Sequence, residues 1–289
     1  MGHTLRRNGV RIQGKVGSIE RFLNVALANC DAPRLVVDSH LSFLRTGSNV
    51  ITTNSYSCVP RVDGCDDDLV IKLIEAAGRL AQAACAVFAR EQPRAIRPLV
   101  AGCVPPLNAS YRPERVGGDA ELRETYALIV RHIMPHSDVL LCETMSSARE
   151  ARLAAEAASQ SGKPVWVSWT LADDESCRLR SGEPIDHAVA ELSAVPNIQA
   201  MLINCSRPSS ITAALSRLRS AAPANVRLGA YGNGFVTVEA SGGDNSDPQG
   251  ISEYDPLMTP QAFADQAQLW LGAGASLIGG CCGIVRTAS

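Results

Sequence analysis

A regular alternation of short apolar runs and amphipathic helical patterns constrains the fold of this chain more than any other feature. Seven runs rich in apolar residues end in polar side chains, at residues 49–54, 97–102, 138–142, 165–169, 200–204, 226–231 and 276–279. Strands that are buried on both faces and joined by crossover helices form a parallel sheet. The pattern therefore predicts an α/β fold.

Helix start signals support the same interpretation. Aspartates at 66–68 favour the positive N-terminal end of a helix, and Ser147 with Glu150 forms a capping-box pattern. Thr259 followed by Pro260 is typical of an N-cap and first turn. One helix is predicted to start at the aspartates and another to follow Cys205. The remaining predicted helices span residues 119–133, 148–160, 186–193 and 260–272.

Polar residues follow almost every predicted strand. An eight-stranded (β/α)8 barrel, the TIM barrel, gathers all of these strand ends onto one face, which favours it over an open doubly wound sheet. The length of 289 residues suits one such domain over 1–289. Only the extreme N-terminus has room for an eighth strand, so we expect a barrel with an incomplete first strand. The Gly-, Asp- and Ser-rich stretch 241–250 is predicted to be a loop.

Composition excludes several classes of partner. The formal net charge of −2 gives no electrostatic reason to expect nucleic acid or an anionic membrane. No apolar run approaches the roughly 18 residues that span a bilayer, and the N-terminus lacks the apolar core of a signal peptide. We therefore expect a cytoplasmic protein whose 10 cysteines are reduced, which favours metal or thiol chemistry over disulfides.

Two adjacent cysteines lie near the C-terminus in Gly279-Gly280-Cys281-Cys282-Gly283. A disulfide between neighbours is strained, whereas flanking glycines let the backbone approach an ion closely. Catalytic zinc takes three protein ligands and keeps one open position. Cys205 is the candidate third ligand. The alternative for any of these cysteines is a small buried apolar side chain.

Strand order places the three thiols together. If the incomplete strand is counted as the first, Cys205 follows the sixth strand and Cys281 and Cys282 follow the eighth. Only the seventh strand separates them, so all three reach the same rim of the barrel. The sequence therefore predicts a Zn²⁺ site made by Cys205, Cys281 and Cys282.

Several segments resemble one enzyme family over nearly the whole chain. They are Val50-Ile51-Thr52-Thr53-Asn54-Ser55-Tyr56, Val100-Ala101-Gly102, Ala109-Ser110-Tyr111-Arg112-Pro113, Leu141-Cys142-Glu143-Thr144-Met145, Pro164-Val165-Trp166-Val167-Ser168, Ile203-Asn204-Cys205 and the Gly-Gly-Cys-Cys-Gly stretch. The chain is similar to the homocysteine S-methyltransferases, zinc-dependent barrel enzymes. The last two segments are the most specific, since they match the three zinc thiolates of the family in order.

The resemblance implies a reaction and a set of binding residues. The implied methyltransferase moves a methyl group from a sulfonium donor, S-methylmethionine or S-adenosylmethionine, to zinc-bound homocysteine and gives methionine. Glu143 resembles the acid that holds the homocysteine ammonium group, and Asn233 matches an asparagine that fills the fourth zinc position in some relatives. Their positions at strand ends make Thr53, Asn54 and Asn204 candidates for polar substrate contacts. Trp169 and Tyr231 are candidate aromatic faces for a donor cation, with packing as the alternative.

The chain departs from the family at both ends. The family has an Asp-Gly-Gly segment just before its Met-Gly and a final helix beyond the cysteine pair, whereas this sequence begins at Met1-Gly2 and ends at Ser289. We therefore expect a truncated C-terminal helix as well. Selenocysteine as acceptor, betaine as donor, and a non-catalytic zinc- or thiol-binding barrel stay open as alternatives. The sequence does not indicate the oligomeric state.

Overall fold

Seven parallel strands form one sheet in a computed structural model of the chain, which describes residues 1–10, 19–61, 66–174, 176–234 and 255–284. The strands lie side by side in chain order, and each pairs in parallel with the next. They are β1 (Val50–Thr52), β2 (Leu99–Val104), β3 (Val139–Met145), β4 (Val165–Trp169), β5 (Ile198–Asn204), β6 (Arg227–Gly232) and β7 (Ala275–Gly280). The seven predicted strands are confirmed, with ends that differ by a few residues.

Helices connect the strands and cover the outer face of the sheet. They are α1 (Gly2–Arg7), α2 (Ile19–Asp31), α3 (Pro33–Leu44), α4 (Asp67–Glu91), α5 (Asp119–Ile133), α6 (Ala148–Ser159), α7 (Ile185–Ala190), α8 (Pro208–Ala221) and α9 (Pro260–Gly272). Short 3-10 turns occur at Pro113–Arg115 and Met134–His136. Among the helices described, none combines the length and the apolar character that a bilayer crossing needs.

The predicted helix starts are made by side-chain caps. Asp66 accepts the Asp68 N–H, and Thr259 accepts the Ala262 N–H at the start of α9. Ser147 accepts the Glu150 N–H at 3.2 Å. The buried Glu150 carboxylate instead accepts the Leu107 N–H and the Tyr126 hydroxyl, so the reciprocal half of the capping box is replaced by tertiary contacts.

Apolar side chains lie on both faces of the sheet. On β3, Leu140 and Cys142 pack against the helices, whereas Leu141 packs on the concave side with Trp166 and Leu202. We call the space enclosed by this concave side the lumen. Because successive residues of a strand point to opposite faces, each strand contributes to both layers. At the carboxyl ends of the strands, polar side chains replace the apolar ones.

The sheet curls without closing. Within the described residues, no strand pairs with the outer edge of β1 or of β7. The described N-terminal residues form α1 to α3 and add no eighth strand to the sheet. The expected TIM barrel with an incomplete first strand is therefore confirmed. The side chain of Ile278 on β7 is 37% exposed because no described element covers that side. The predicted loop 241–250 lies outside the described residues.

Candidate active site

Three cysteine side chains meet at the carboxyl ends of the strands. Cys205 follows β5, and Cys281 and Cys282 follow β7, with β6 between them. Their Sγ atoms all lie within 4.8 Å of one another, and the Sγ atoms of Cys205 and Cys281 are 2.7 Å apart. Cys205 is buried and the other two are half-buried. The structure thus brings the three predicted ligands together, and their role in metal binding stays a prediction.

Backbone contacts with the end of β6 hold the cysteine pair. The Cys281 N–H donates to the Gly232 carbonyl, and the Gly234 N–H donates to the Cys282 carbonyl, both at 2.8 Å. A Cβ at Gly280 would lie 2.6 Å from the Ile284 side chain, so the turn needs a glycine there. Cys205 has a φ of 48°, a left-handed conformation that redirects the chain where β5 ends.

The thiol cluster disfavours its own ionisation. The hydrogen bond with Cys205 raises the pKa of Cys281, and the neighbouring Cys282 and burial raise it further. Thiolates this close repel one another in a buried setting unless a cation compensates their charge. Three sulfur ligands of this kind suit a soft divalent metal such as zinc. The donor set therefore fits the predicted ion.

Asn233 is fully buried next to this cluster, in the turn after β6. Its backbone N–H donates to the Ser206 carbonyl at 3.1 Å. Neither its side-chain nitrogen nor its side-chain oxygen has a hydrogen-bond partner among the described residues. A buried amide without partners costs about 1–3 kcal/mol. A buried amide of this kind can bind an ordered water or a ligand, and the predicted place of Asn233 next to the metal stays a prediction.

Glu143 lies at the end of β3, with only 9% of its surface exposed. Its carboxylate accepts a hydrogen bond from the Tyr231 hydroxyl at 3.4 Å and one from the Cys103 thiol. Burial raises the pKa of this carboxyl. Within the described residues it has no salt-bridge partner. The positive charge of the Met1 amino group and the two hydrogen bonds lower this pKa in part. A buried carboxylate without an ion-pair partner can accept a cationic group, and the predicted role of Glu143 in substrate binding stays a prediction.

Asn204 lies in the same polar layer and is fully buried. Its Oδ1 accepts the Thr144 N–H at 2.9 Å and the Ser168 hydroxyl at 2.7 Å. Its Nδ2 donates to the Thr144 hydroxyl at 2.8 Å. The three bonds connect β5 to β4 and β3. The predicted contact of Asn204 with substrate stays a prediction.

Thr53 and Asn54 follow β1 and are also buried. The Thr53 hydroxyl accepts the Cys103 N–H at 3.0 Å, while Asn54 donates to the Val25 carbonyl at 2.8 Å and to Asn29 at 3.0 Å. These bonds join β1 to β2 and α2. They give both residues a structural role, and their predicted substrate contacts stay predictions.

Two other residues at the site are not predicted from the sequence as site residues, although Tyr111 lies in one of the segments that carry the family resemblance. Cys103 follows an apolar run, and Tyr111 lies in a proline-rich loop, yet Tyr111 hydrogen-bonds to Cys205 and its ring lies 4.7 Å below the Arg180 guanidinium. Of the two candidate aromatic faces, Tyr231 lies in the lumen, whereas Trp169 is fully buried against the helices. Packing is therefore the role of Trp169, because its direction on β4 points it away from the lumen.

Comparison with known proteins gives consistent similarities. Residues 1–287 match a family model described as homocysteine S-methyltransferase. The chain is 29% identical over 266 residues to homocysteine S-methyltransferase of Escherichia coli (strain K12), covering 86% of this chain and 80% of that protein. It is 26% identical over 297 residues to homocysteine S-methyltransferase 4 of Zea mays, covering 95% and 83%. The metallated form of the Escherichia coli homocysteine methyltransferase superposes with a TM-score of 0.79 at 27% identity, covering 99% of this chain and 90% of that one.

Proposed function

The chain belongs to the homocysteine S-methyltransferase family, and we propose that it transfers a methyl group from a sulfonium donor, S-methylmethionine or S-adenosylmethionine, to homocysteine. The observation that carries the proposal is the thiol cluster of Cys205, Cys281 and Cys282 beside the buried carboxylate of Glu143. Homocysteine has a sulfur at one end and an ammonium group at the other. The two parts of the site match these two ends.

The three cysteines would hold zinc, and the unpartnered amide of Asn233 suits a position next to it. Bound zinc would supply Lewis acidity that keeps the substrate sulfur deprotonated near neutral pH, although a free thiol has a pKa of about 8.5. Glu143 would bind the substrate ammonium group through a charge-assisted hydrogen bond. Burial of this carboxylate excludes water, which strengthens that bond.

The chemical step is a substitution at the methyl carbon. The homocysteine thiol gives up its proton to solvent, and its sulfur forms a bond to the methyl carbon. The bond from that carbon to the donor sulfur breaks, and the electron pair stays on the donor sulfur. The sulfonium becomes a neutral thioether, and homocysteine becomes methionine. The contribution of the protein is to fix the orientation of the acceptor.

A donor panel tests this proposal. Zinc-loaded protein is incubated with homocysteine and, separately, with S-methylmethionine, S-adenosylmethionine or betaine, and methionine is measured by mass spectrometry. We expect methionine from at least one sulfonium donor. Methionine from betaine alone would overturn the donor class. Metal binding without turnover of any donor would favour the non-catalytic barrel, and selenocysteine in place of homocysteine tests the other acceptor.

Metal content tests the ligand set. We expect about one zinc per chain in the native protein, and its loss in Cys205→Ser, Cys281→Ser and Cys282→Ser, because each variant removes one of three thiolate ligands. Cys85→Ser is the matched control, since Cys85 lies on α4 away from the cluster. Elemental analysis of the purified proteins gives the readout. Full zinc occupancy in all three variants would disprove this site.

A further inference from the structure

We infer that Asn204 is a positioning residue that fixes the separation between the thiol cluster and Glu143, and so selects amino-acid thiols by the length of their side chains. The inference rests on the proposed function and adds a residue that determines specificity. It follows from where the Asn204 amide is attached and what it binds. Each end of this contact is the immediate sequence neighbour of a functional group, Cys205 at one end and Glu143 at the other.

The amide joins the two segments that carry the functional groups. Asn204 directly precedes Cys205, and Thr144, which it binds, directly follows Glu143. Between them lies β4, whose Ser168 donates to the same amide oxygen. Three hydrogen bonds of 2.7–2.9 Å therefore connect β3, β4 and β5 through one side chain. The full burial of Asn204 keeps water from competing for them.

Both joined segments have an unusual backbone. Thr144 has a φ of 62° and Cys205 a φ of 48°, in the left-handed region. A β-branched residue rarely adopts this conformation, and such strain persists only where the surroundings impose it. The Asn204 amide binds both the N–H and the hydroxyl of Thr144. These two bonds hold the turn directly after Glu143 in place.

A fixed separation has a consequence for specificity. Homocysteine has two carbons between its α-carbon and its sulfur, whereas cysteine and selenocysteine have one. An acceptor that is too short cannot reach both the cysteine cluster and Glu143, provided that neither segment shifts. Because tertiary contacts hold both segments in place, the one methylene by which homocysteine exceeds cysteine gives the two thiols different affinities.

Binding measurements on Asn204→Ala test the inference. The dissociation constants of L-homocysteine and L-cysteine are measured by calorimetry on zinc-loaded native and variant protein of equal metal content. We expect the native protein to prefer homocysteine by at least ~10-fold, and this preference to fall by at least ~5-fold in the variant, because the freed segments adapt to the shorter thiol. An unchanged preference overturns the inference.

Two further variants separate positioning from stability. Asn29→Ala removes another buried amide, which binds the Asn54 and Leu73 carbonyls, and should lower stability while keeping the preference. If Asn204→Ala does not fold, the double variant with Thr144→Gly is measured, because glycine removes the strain at φ 62°. A double variant with the native preference also overturns the inference. Native protein that binds neither thiol contradicts the proposed function instead.

Discussion

Glu143 shows how much of the chemistry depends on the surroundings of a single residue. Its carboxylate is held by two neutral donors, the Tyr231 hydroxyl and the Cys103 thiol, in a buried position that raises its pKa. An incoming ammonium group would supply the opposite charge that favours the ionised form. Substrate binding and ionisation of Glu143 are therefore coupled.

We expect Glu143→Gln to raise the KM for homocysteine roughly 10- to 100-fold, since a hydrogen bond to a charged group contributes about 1.5–3 kcal/mol. The value of kcat should change less, because the sulfur end of the site is intact. Steady-state kinetics at saturating donor provide the measurement. Glu150→Gln is the control, since Glu150 is also buried but binds Leu107 and Tyr126. A KM equal to that of the native protein would exclude Glu143 from ammonium binding.

His40 makes stability depend on pH. It is 1% exposed on α3, and burial lowers its pKa from 6.5 to about 3. The unfolded chain takes up a proton below pH 6.5, whereas the folded chain does so only near pH 3. The contribution of this neutral histidine to stability is therefore present above pH 6.5 and is lost as the pH falls toward 3.

We expect this single residue to reduce the free energy of unfolding by about 1.4 kcal/mol per pH unit below its unfolded pKa. Urea unfolding of the native protein and of His40→Phe at several pH values between 7 and 4 isolates the effect, because other titrating groups are shared by the two proteins. The stability difference between the two proteins should shift with pH in favour of the variant as the pH falls. A pH-independent difference would contradict this assignment.

At the scale of elements, β1 shows where tertiary contacts override a sequence pattern. The apolar and polar run 49–54 suggests a longer strand, but β1 spans only Val50–Thr52. The strand ends before Asn54, whose side-chain amide donates to the Val25 carbonyl and to the Asn29 side-chain oxygen of α2. In return, Asn29 donates to the Asn54 carbonyl at 2.9 Å. This reciprocal pair connects the short strand to the helix.

We expect Asn54→Ala to lower the free energy of unfolding by about 1–3 kcal/mol, because it leaves buried partners unsatisfied. Asn29→Ala should lower the free energy of unfolding by a similar amount. The loss in the double variant should be smaller than the sum of the two single losses, because both variants remove the same hydrogen bond between Asn54 and Asn29. Denaturant unfolding of the three variants completes this cycle. Additive losses would show that the pair does not act as a unit. The KM for homocysteine in Asn54→Ala tests the separate prediction of a substrate contact.

At the scale of the whole molecule, the curled sheet leaves an apolar side uncovered among the described residues. Ile278 on β7 is 37% exposed, and Leu271 on the neighbouring α9 is 46% exposed. Unpaired strand edges with apolar neighbours favour association between chains. Charged groups that would oppose such pairing are not present within β7.

We therefore expect Ile278→Thr to reduce concentration-dependent self-association while it keeps a β-branched side chain in the strand. Ile96→Thr is the matched control, because Ile96 is 78% exposed but precedes β2, away from this edge. Light scattering across a concentration series provides the readout. The same self-association in both variants would show that the β7 edge does not drive it.

The sequence by itself determined the order of the elements and the meeting of the three thiols. Apolar runs that alternate with capped helices leave a parallel sheet as the solution, and strand order then brings Cys205 beside Cys281 and Cys282. These features depend on local pattern and on connectivity. Local pattern and connectivity can both be determined from the amino-acid sequence.

Only the tertiary structure decided how the other polar residues are used. Asn204, Thr144 and Ser168 are far apart in sequence, and nothing at each position indicates that one amide binds the other two. The same holds for the contact of Cys103 with Glu143. Hydrogen bonds between strands depend on register and on the side chain's direction, which packing of the whole sheet fixes.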